Sequence, residues 1–530
     1  MRKEDQERAV QEVIGRVVGG VAERGSQALE NAIADTLYWE RQRIEKERPS
    51  AQRTRALARL DAQRRALLGG SDPERKRLLH ELVEGFAREV LGYFDPKVHA
   101  LATRAVPVGL RTLLKATSPR QLLRGSEHGL GGLEERLLVD GEVAHARALR
   151  ERGTVVFCPT HSSNLDSIVL GYGMHEEGFP PLLYGAGLNL FSNPLVSFFL
   201  RNLGAYRVDR RKKAPLYKDV LKTYATVSLE LGYHNLFFPG GTRSRGGHVE
   251  SKLKLGLLGT ALDAYYHNVK VRRPRPRIFV VPMVLSYELV LEAETLIDDY
   301  LREQGQSRYI ITDDEFASPR RVLQFLSGIL ELDTRIHLTL MEPLDPFGNR
   351  VDREGRSLDG RGREIAIDRY LRGVDGELRR DPDRDREYTR LLGERVRDAF
   401  FRGNTVMPTH VVAYAAFAEL RRLNPGADLY RLLRTGGNHE SIPLPDLFRR
   451  VDELRGRLRA LAAEGRLRLG ERVATLGADD LIVLALRAFG TYHTRPALER
   501  VGDRIYHRDR NLLYYYRNRL VGYGLEDDER

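Results

Sequence analysis

Along residues 1 to about 125, apolar residues recur at helical spacing among Arg, Glu and Ala, the signature of one buried helix face. Ser71-Asp72-Pro73-Glu74 combines a capping residue with an early proline and predicts a helix start. From about 150 to 345 the texture changes to short β-rich runs alternating with helical runs. Strands are expected at Gly153–Thr160, Gly204–Asp209, Asn235–Pro239, Arg277–Tyr287 and Arg335–Met341. Helices are expected at Asn164–Met174, Asn193–Asn202, Ala214–Leu231 and Lys252–His267. This alternation predicts an α/β core, a mostly parallel or mixed sheet flanked by helices. Asp345 to about Glu364 is polar and reads as a long loop. Helical patterning returns from about 365 to 530, with a break at Asn424-Pro425-Gly426. The expected organisation is a helical N-terminal region (1–125), an α/β core (126–345) and a mainly helical C-terminal region (346–530).

The 530 residues suffice for two or three domains and a sizeable core. Apolar residues at 42% and charged residues at 30% fit a globular protein rather than a disordered one. The formal charge of +12 suits acidic partners: phosphate compounds, anionic lipid, acyl carrier proteins or nucleic acid. Cys158 is the single cysteine, which excludes an intrachain disulfide and a cysteine metal site and fits a reducing compartment. No signal peptide and no apolar run of about 18 residues is read, so any membrane contact is expected to be peripheral.

Four segments carry candidate chemistry. In Cys158-Pro-Thr-His161-Ser-Ser-Asn-Leu-Asp166 an apolar strand ends and a helix begins. Across such a bend Asp166 can reach the His161 ring, fix its tautomer and leave the other nitrogen free as a base. The spacing equally suits a capping aspartate beside a hydrogen-bonded histidine. Gly204-Ala-Tyr-Arg-Val-Asp-Arg210-Arg211 ends a second strand. Gly240-Gly241-Thr242-Arg243-Ser244-Arg245 follows a third, where glycines admit a ligand close to the backbone and arginines offer forked donors to phosphate. Either of these two segments alone also reads as a solvated basic turn. The fourth, Val280 to Glu288 with Pro282, reads as a buried strand.

In this order and spacing the four segments resemble the glycerolipid acyltransferase family. Glu342-Pro343-Leu344, Asn404 to Pro408 and Tyr514 to Asn518 are similar to the C-terminal part of its bacterial glycerol-3-phosphate branch. The resemblance implies His161 as general base and Asp166 as its orienter. Arg210 and the loop Gly241, Thr242, Arg243, Ser244, Arg245 would hold an acceptor phosphate, with Lys254 adding charge and Pro282 shaping the acyl or thioester site. The implied reaction moves a fatty acyl group from acyl-CoA or acyl carrier protein to the sn-1 hydroxyl of glycerol-3-phosphate, directly and without cofactor or metal. 1-Acylglycerol-3-phosphate and dihydroxyacetone phosphate remain alternative acceptors. The family has Glu where this chain has Gly240, a carboxylate associated with the acceptor site; Glu250 or Glu288 are the candidates to replace it. Leu188, Leu190, Phe191, Leu195, Phe198 and Phe199 are candidates for an acyl groove or for ordinary core. A cytoplasmic protein peripheral on the anionic inner face of the cell membrane is expected.

Two readings from other classes compete. A serine hydrolase would use Ser162 or Ser163, but no Gly-x-Ser-x-Gly elbow occurs. A non-enzymatic basic protein binding membrane or nucleic acid suits the charge. Yet acidic and basic residues interleave along Arg379 to Arg390, and no nucleic-acid module is read, so a nucleic-acid partner is not expected.

Overall fold

The computed structural model describes residues 1–101, 136–187, 197–198, 202–304, 335–437, 439–490 and 493–525. Its strands β1 (Leu137–Gly141), β2 (Thr154–Pro159), β3 (Leu183–Gly187), β4 (Ala205–Val208), β5 (Asn235–Leu236), β6 (Ile278–Tyr287) and β7 (Ile336–Leu340) form one sheet. The order is β1-β7-β6-β2-β5-β3-β4. β6, β2, β5, β3 and β4 run parallel, while β7 pairs antiparallel to β6 and β1 follows β7. The sheet is thus mixed and mostly parallel, as the alternating pattern predicts. β2 and β6 are buried along their whole length, the condition of central strands covered on both faces.

Five expected strands are present. β1 and β3 were not foreseen from the sequence. β3 reads Leu-Tyr-Gly-Ala-Gly, a poor strand by propensity. Gly185 is there because the Tyr206 ring of β4 packs on it: an added Cβ would meet that ring at 3.1–3.2 Å.

Around the sheet lie α1 (Lys3–Ala22), α2 (Ser26–Glu45), α3 (Ala51–Gly69), α4 (Asp72–Val90), α5 (Val143–Arg150), α6 (Asp166–Glu176), α7 (Pro215–Glu230), α8 (Thr260–Lys270) and α9 (Ala293–Gln304). α4 starts where the capping signal predicts; the Ser71 N–H donates to Glu74 Oε2 at 2.7 Å. α1 to α4 share a core with α7, where Val10, Val13, Leu79 and Val83 cluster with Tyr217, Val220 and Tyr224. Arg16 of α1 grips the buried Glu230 of α7 with two bonds of 2.7 and 2.8 Å. The helix expected at Lys252–His267 starts late and bends at Gly259. Lys254 stays extended because its N–H is taken by Pro239 O at 2.7 Å.

The polar stretch from Asp345 is not one open loop. Arg350–Val351, Ser357–Leu358 and Glu364–Ile365 pair into a small antiparallel sheet, with Asp352 and Asp359 accepting turn N–H groups. Beyond it come α10 (Pro382–Gly403), α11 (Pro408–Arg422), α12 (Leu444–Ala463), α13 (Ala478–Phe489) and α14 (Arg510–Arg517). α11 is buried all round from Pro408 to Leu420 and ends before Asn424-Pro425-Gly426, where the sequence predicts a break. α14 brings Tyr514, Tyr515 and Tyr516 into the main core. Among the described residues, no helix is long and apolar enough to cross a membrane.

Candidate active site

The carboxyl ends of β2, β5 and β4, adjacent through β3, carry three of the four segments. Such strand ends are where ligands gather in open α/β sheets.

After β2 the chain turns at Thr160–Asn164 and enters α6 at Asp166, its first residue. The bend places His161 Nδ1 2.7 Å from Asp166 Oδ2. The same oxygen accepts the N–H groups of Ser162 at 2.7 Å and Ser163 at 3.0 Å. Asp166 Oδ1 accepts the Tyr287 hydroxyl from the end of β6 at 2.6 Å. These four contacts hold the carboxyl group in one orientation. With Nδ1–H donating to Asp166, Nε2 is the nitrogen left as acceptor. The Phe238 ring stacks on the imidazole at 4.0 Å between centroids and fixes its plane. The His161 side chain keeps 15% exposure while Asp166 has none, so the imidazole stays reachable and its partner does not.

The arginine loop lies against this pair: the Ser244 N–H donates to the His161 carbonyl at 2.7 Å. Arg243 reaches the buried Glu292 at 3.1 Å, and Arg245 pairs with Glu303. Glu292 also accepts the Ser163 hydroxyl at 2.7 Å and the Asn164 N–H at 2.8 Å. Burial pushes its carboxyl above the usual range, against the pull of Arg243. Arg210, after β4, has no ion-pair partner among the described residues. Crowding by protein lowers its guanidinium first, and then the nearby Arg243 and Arg245. Arg210 is thus near enough to feel the charges of Arg243 and Arg245, whose loop packs on the His161 carbonyl, and forked guanidinium donors suit an anion. Gly241, at φ 74°, carries the Lys254 side chain over it; a Cβ there would lie 2.6 Å from Lys254 Cδ. Thr242 is exposed at the tip. Pro282 sits inside the sheet, paired with Cys158.

Several contributors were not legible in the sequence. Tyr287 lies within the fourth segment and Glu292 just beyond it, and nothing in the local pattern marks either as a partner of the bend. A back wall comes from the far end of the chain. Asn518 Nδ2 donates to Gly246 O at 2.8 Å, and Tyr515 O blocks any side chain at Gly247. Arg519, also buried, donates to Leu285 O at 2.7 Å and Asn404 Oδ1 at 2.6 Å.

Glu288, one of the two carboxylates expected to replace a Glu at position 240, lies elsewhere. Its carboxyl meets Arg335 N at 3.3 Å and Arg472 at 3.8 Å. Glu250 is the one in the site, accepting the His161 N–H. The N–H groups of Ser162, Ser163 and Asn164 serve carboxylates and are not free to receive an oxyanion. Ser163 gives its hydroxyl to Glu292, and burial raises the Cys158 thiol, so neither is set up as a nucleophile. Of the acyl-groove candidates only Phe198 falls within the described residues, 48% exposed; Leu188, Leu190, Phe191, Leu195 and Phe199 lie outside them. Among the described residues no cluster of metal-ligating side chains occurs.

The family model described as Acyltransferase matches residues 141–286. The glycerol-3-phosphate acyltransferase of Xanthomonas axonopodis pv. citri is 34% identical over 146 residues, 27% of this chain and 16% of that protein. That of Pseudomonas syringae pv. tomato is 28% identical over 281 residues, 52% of this chain and 30% of that protein. That of Aeromonas hydrophila subsp. hydrophila is 33% identical over 180 residues, 33% of this chain and 21% of that protein. This chain therefore aligns with less than a third of the length of each. Among solved structures, the 1-acyl-sn-glycerophosphate acyltransferase PlsC of Thermotoga maritima is similar at 16% identity and a TM-score of 0.26, covering 57% of this chain and 91% of that one. His161, Asp166, Arg210 and the whole arginine loop fall inside the stretch that matches the acyltransferase model, and over it the chain is similar to the glycerol-3-phosphate acyltransferases above.

Proposed function

We infer that the protein transfers a fatty acyl group from a thioester, acyl-CoA or acyl carrier protein, to the sn-1 hydroxyl of glycerol-3-phosphate. The observation that carries this reading is a histidine whose Nδ1 is engaged by the buried Asp166 and whose carbonyl holds the arginine loop, with Arg210 near enough to feel the charges of that loop. The guanidiniums bind the acceptor phosphate and so aim its hydroxyl at His161 Nε2. His161 takes the hydroxyl proton as the oxygen attacks the thioester carbonyl. Asp166 holds the Nδ1–H tautomer and stabilises the imidazolium that forms. The thiolate then leaves, and the imidazolium returns the proton to it or to solvent. General-base catalysis of this kind contributes about 10²–10⁴-fold; positioning of both substrates contributes more. The relatives' names support the acceptor. A net charge of +12 and an amphiphilic product support action at an anionic membrane surface.

Purified protein with radiolabelled acyl-CoA or acyl carrier protein, and a panel of glycerol-3-phosphate, 1-acylglycerol-3-phosphate and dihydroxyacetone phosphate, tests this. Glycerol-3-phosphate is expected to be preferred, and His161→Ala to abolish transfer with the fold intact. Full activity in His161→Ala, or no transfer to any phosphate acceptor, refutes the reading. Sedimentation with anionic vesicles at low but not high salt checks the membrane surface.

A further inference from the structure

Gly240 opens the arginine loop, and its backbone is ordinary; it is absent from the positive-φ glycines. Conformation therefore does not explain the glycine. Space does: a Cβ built on Gly240 would lie well inside van der Waals distance of Glu250 Oε2. The Glu250 carboxyl occupies the place where a side chain at position 240 would begin. Its Oε1 accepts the main-chain N–H of His161, and the Gly240 N–H faces the same group. The segment carrying it doubles back beneath the loop, pinned by Ser244 Oγ on His248 O at 2.7 Å and by Lys254 N on Pro239 O at 2.7 Å. One carboxyl group thus hydrogen-bonds the backbone of His161 and packs against the first residue of the arginine loop.

We propose that Glu250 is a positioning residue, setting the reach of His161 relative to the arginine loop by accepting the His161 N–H while packing against Gly240, and that position 240 is glycine to admit its carboxyl. The proposal rests on the catalytic reading above and adds to it a residue that never touches substrate. Burial pushes the Glu250 carboxyl up to about 8, against the His161 N–H and Arg519, with Asp166 adding to the rise. At neutral pH the group is therefore mainly the uncharged acid. Oε2 has no partner among the described residues and is free to carry the proton. A neutral carboxyl places no second negative charge beside Asp166, and glutamine is its close mimic.

The test is a double-mutant cycle on kcat, with KM for both substrates and the unfolding midpoint measured alongside. Glu250→Ala is expected to lower kcat about a hundredfold, the scale of a ~1 Å misplacement of a reacting group, with KM for both substrates within about threefold. Glu250→Gln retains the acceptor of the His161 N–H and is expected to be roughly tenfold more active than the alanine variant. Gly240→Ala is expected to be damaging alone and nearly silent in the Glu250→Ala background, because its steric partner is gone. Equal costs of Gly240→Ala in both backgrounds overturn the proposal. So does a Glu250→Ala enzyme within threefold of wild-type kcat while His161→Ala is inactive. Transfer surviving His161→Ala overturns the catalytic reading and this inference together.

Discussion

Asp166→Asn separates charge from geometry at this site. Asp166 Oδ2 takes three N–H donors, from His161, Ser162 and Ser163, whereas Oδ1 takes only the Tyr287 hydroxyl. An amide fits in one orientation alone. Its oxygen must face the three N–H groups and its NH2 must face Tyr287, whose hydroxyl turns from donor to acceptor. The fold and the Nδ1–H tautomer therefore survive the exchange. What disappears is the negative charge beside the imidazolium that forms when His161 takes a proton. Two unit charges about 4 Å apart interact by about 4 kcal/mol at an effective dielectric of about 20. At 1.36 kcal/mol per factor of ten this is about a thousandfold in kcat. His161 retains 15% exposure, so solvent screening trims the effect, and a loss of about 10²–10³-fold is expected. Acyl transfer at saturating substrates gives kcat, and urea unfolding followed by circular dichroism gives stability. A variant within tenfold of wild-type kcat, cooperatively folded, refutes the electrostatic role of Asp166. A variant that fails to fold refutes the claim that the amide is accommodated.

Tyr287→Phe removes the donor to Asp166 Oδ1 and leaves a buried carboxylate oxygen unpaired; a stability loss of about 1.5–3 kcal/mol by urea unfolding is expected, and a loss below 0.5 kcal/mol counts against the bond. Gly247→Ala forces a residue with φ 77° and a blocking Tyr515 carbonyl to accept a Cβ. Left-handed strain alone costs roughly 1–2 kcal/mol, so loosening of the arginine loop should raise the acceptor KM about tenfold, and an unchanged KM contradicts the loop's assignment. His410 is buried, and burial lowers its imidazole to about 3 in the folded protein from 6.5. The unfolded chain therefore binds the extra proton first, and the stability that His410 contributes is present above about 6.5 and lost as pH falls toward 3. His410→Asn, whose amide oxygen can take the Met407 N–H now accepted by Nδ1, should abolish up to about 1.4 kcal/mol per pH unit of this dependence. Parallel wild-type and variant stability curves between pH 7.5 and 5 exclude it.

What the sequence determined by itself is the part governed by neighbours in the chain. Continuous apolar runs made β2 and β6 legible, helical spacing made α1 to α4 and α7 legible, and Ser71-Asp72-Pro73-Glu74 marked a helix start. The His161–Asp166 pair was legible for the same reason: five positions across one bend suffice to bring the side chains together. β3 was not, because its glycines fit a neighbour's tyrosine ring rather than a strand pattern. Nor was the rest of the site. The bonds of Glu250 to His161, Tyr287 to Asp166, Glu292 to Asn164 and Asn518 to Gly246 span 89, 121, 128 and 272 positions. No local pattern encodes a contact that exists only once the sheet has set its strand order. The sequence left Glu250 and Glu288 as equal candidates to replace a carboxylate at position 240. Tertiary structure separated them, because only Glu250 returns beneath the arginine loop, while Glu288 leaves the end of β6 toward Arg335 and Arg472.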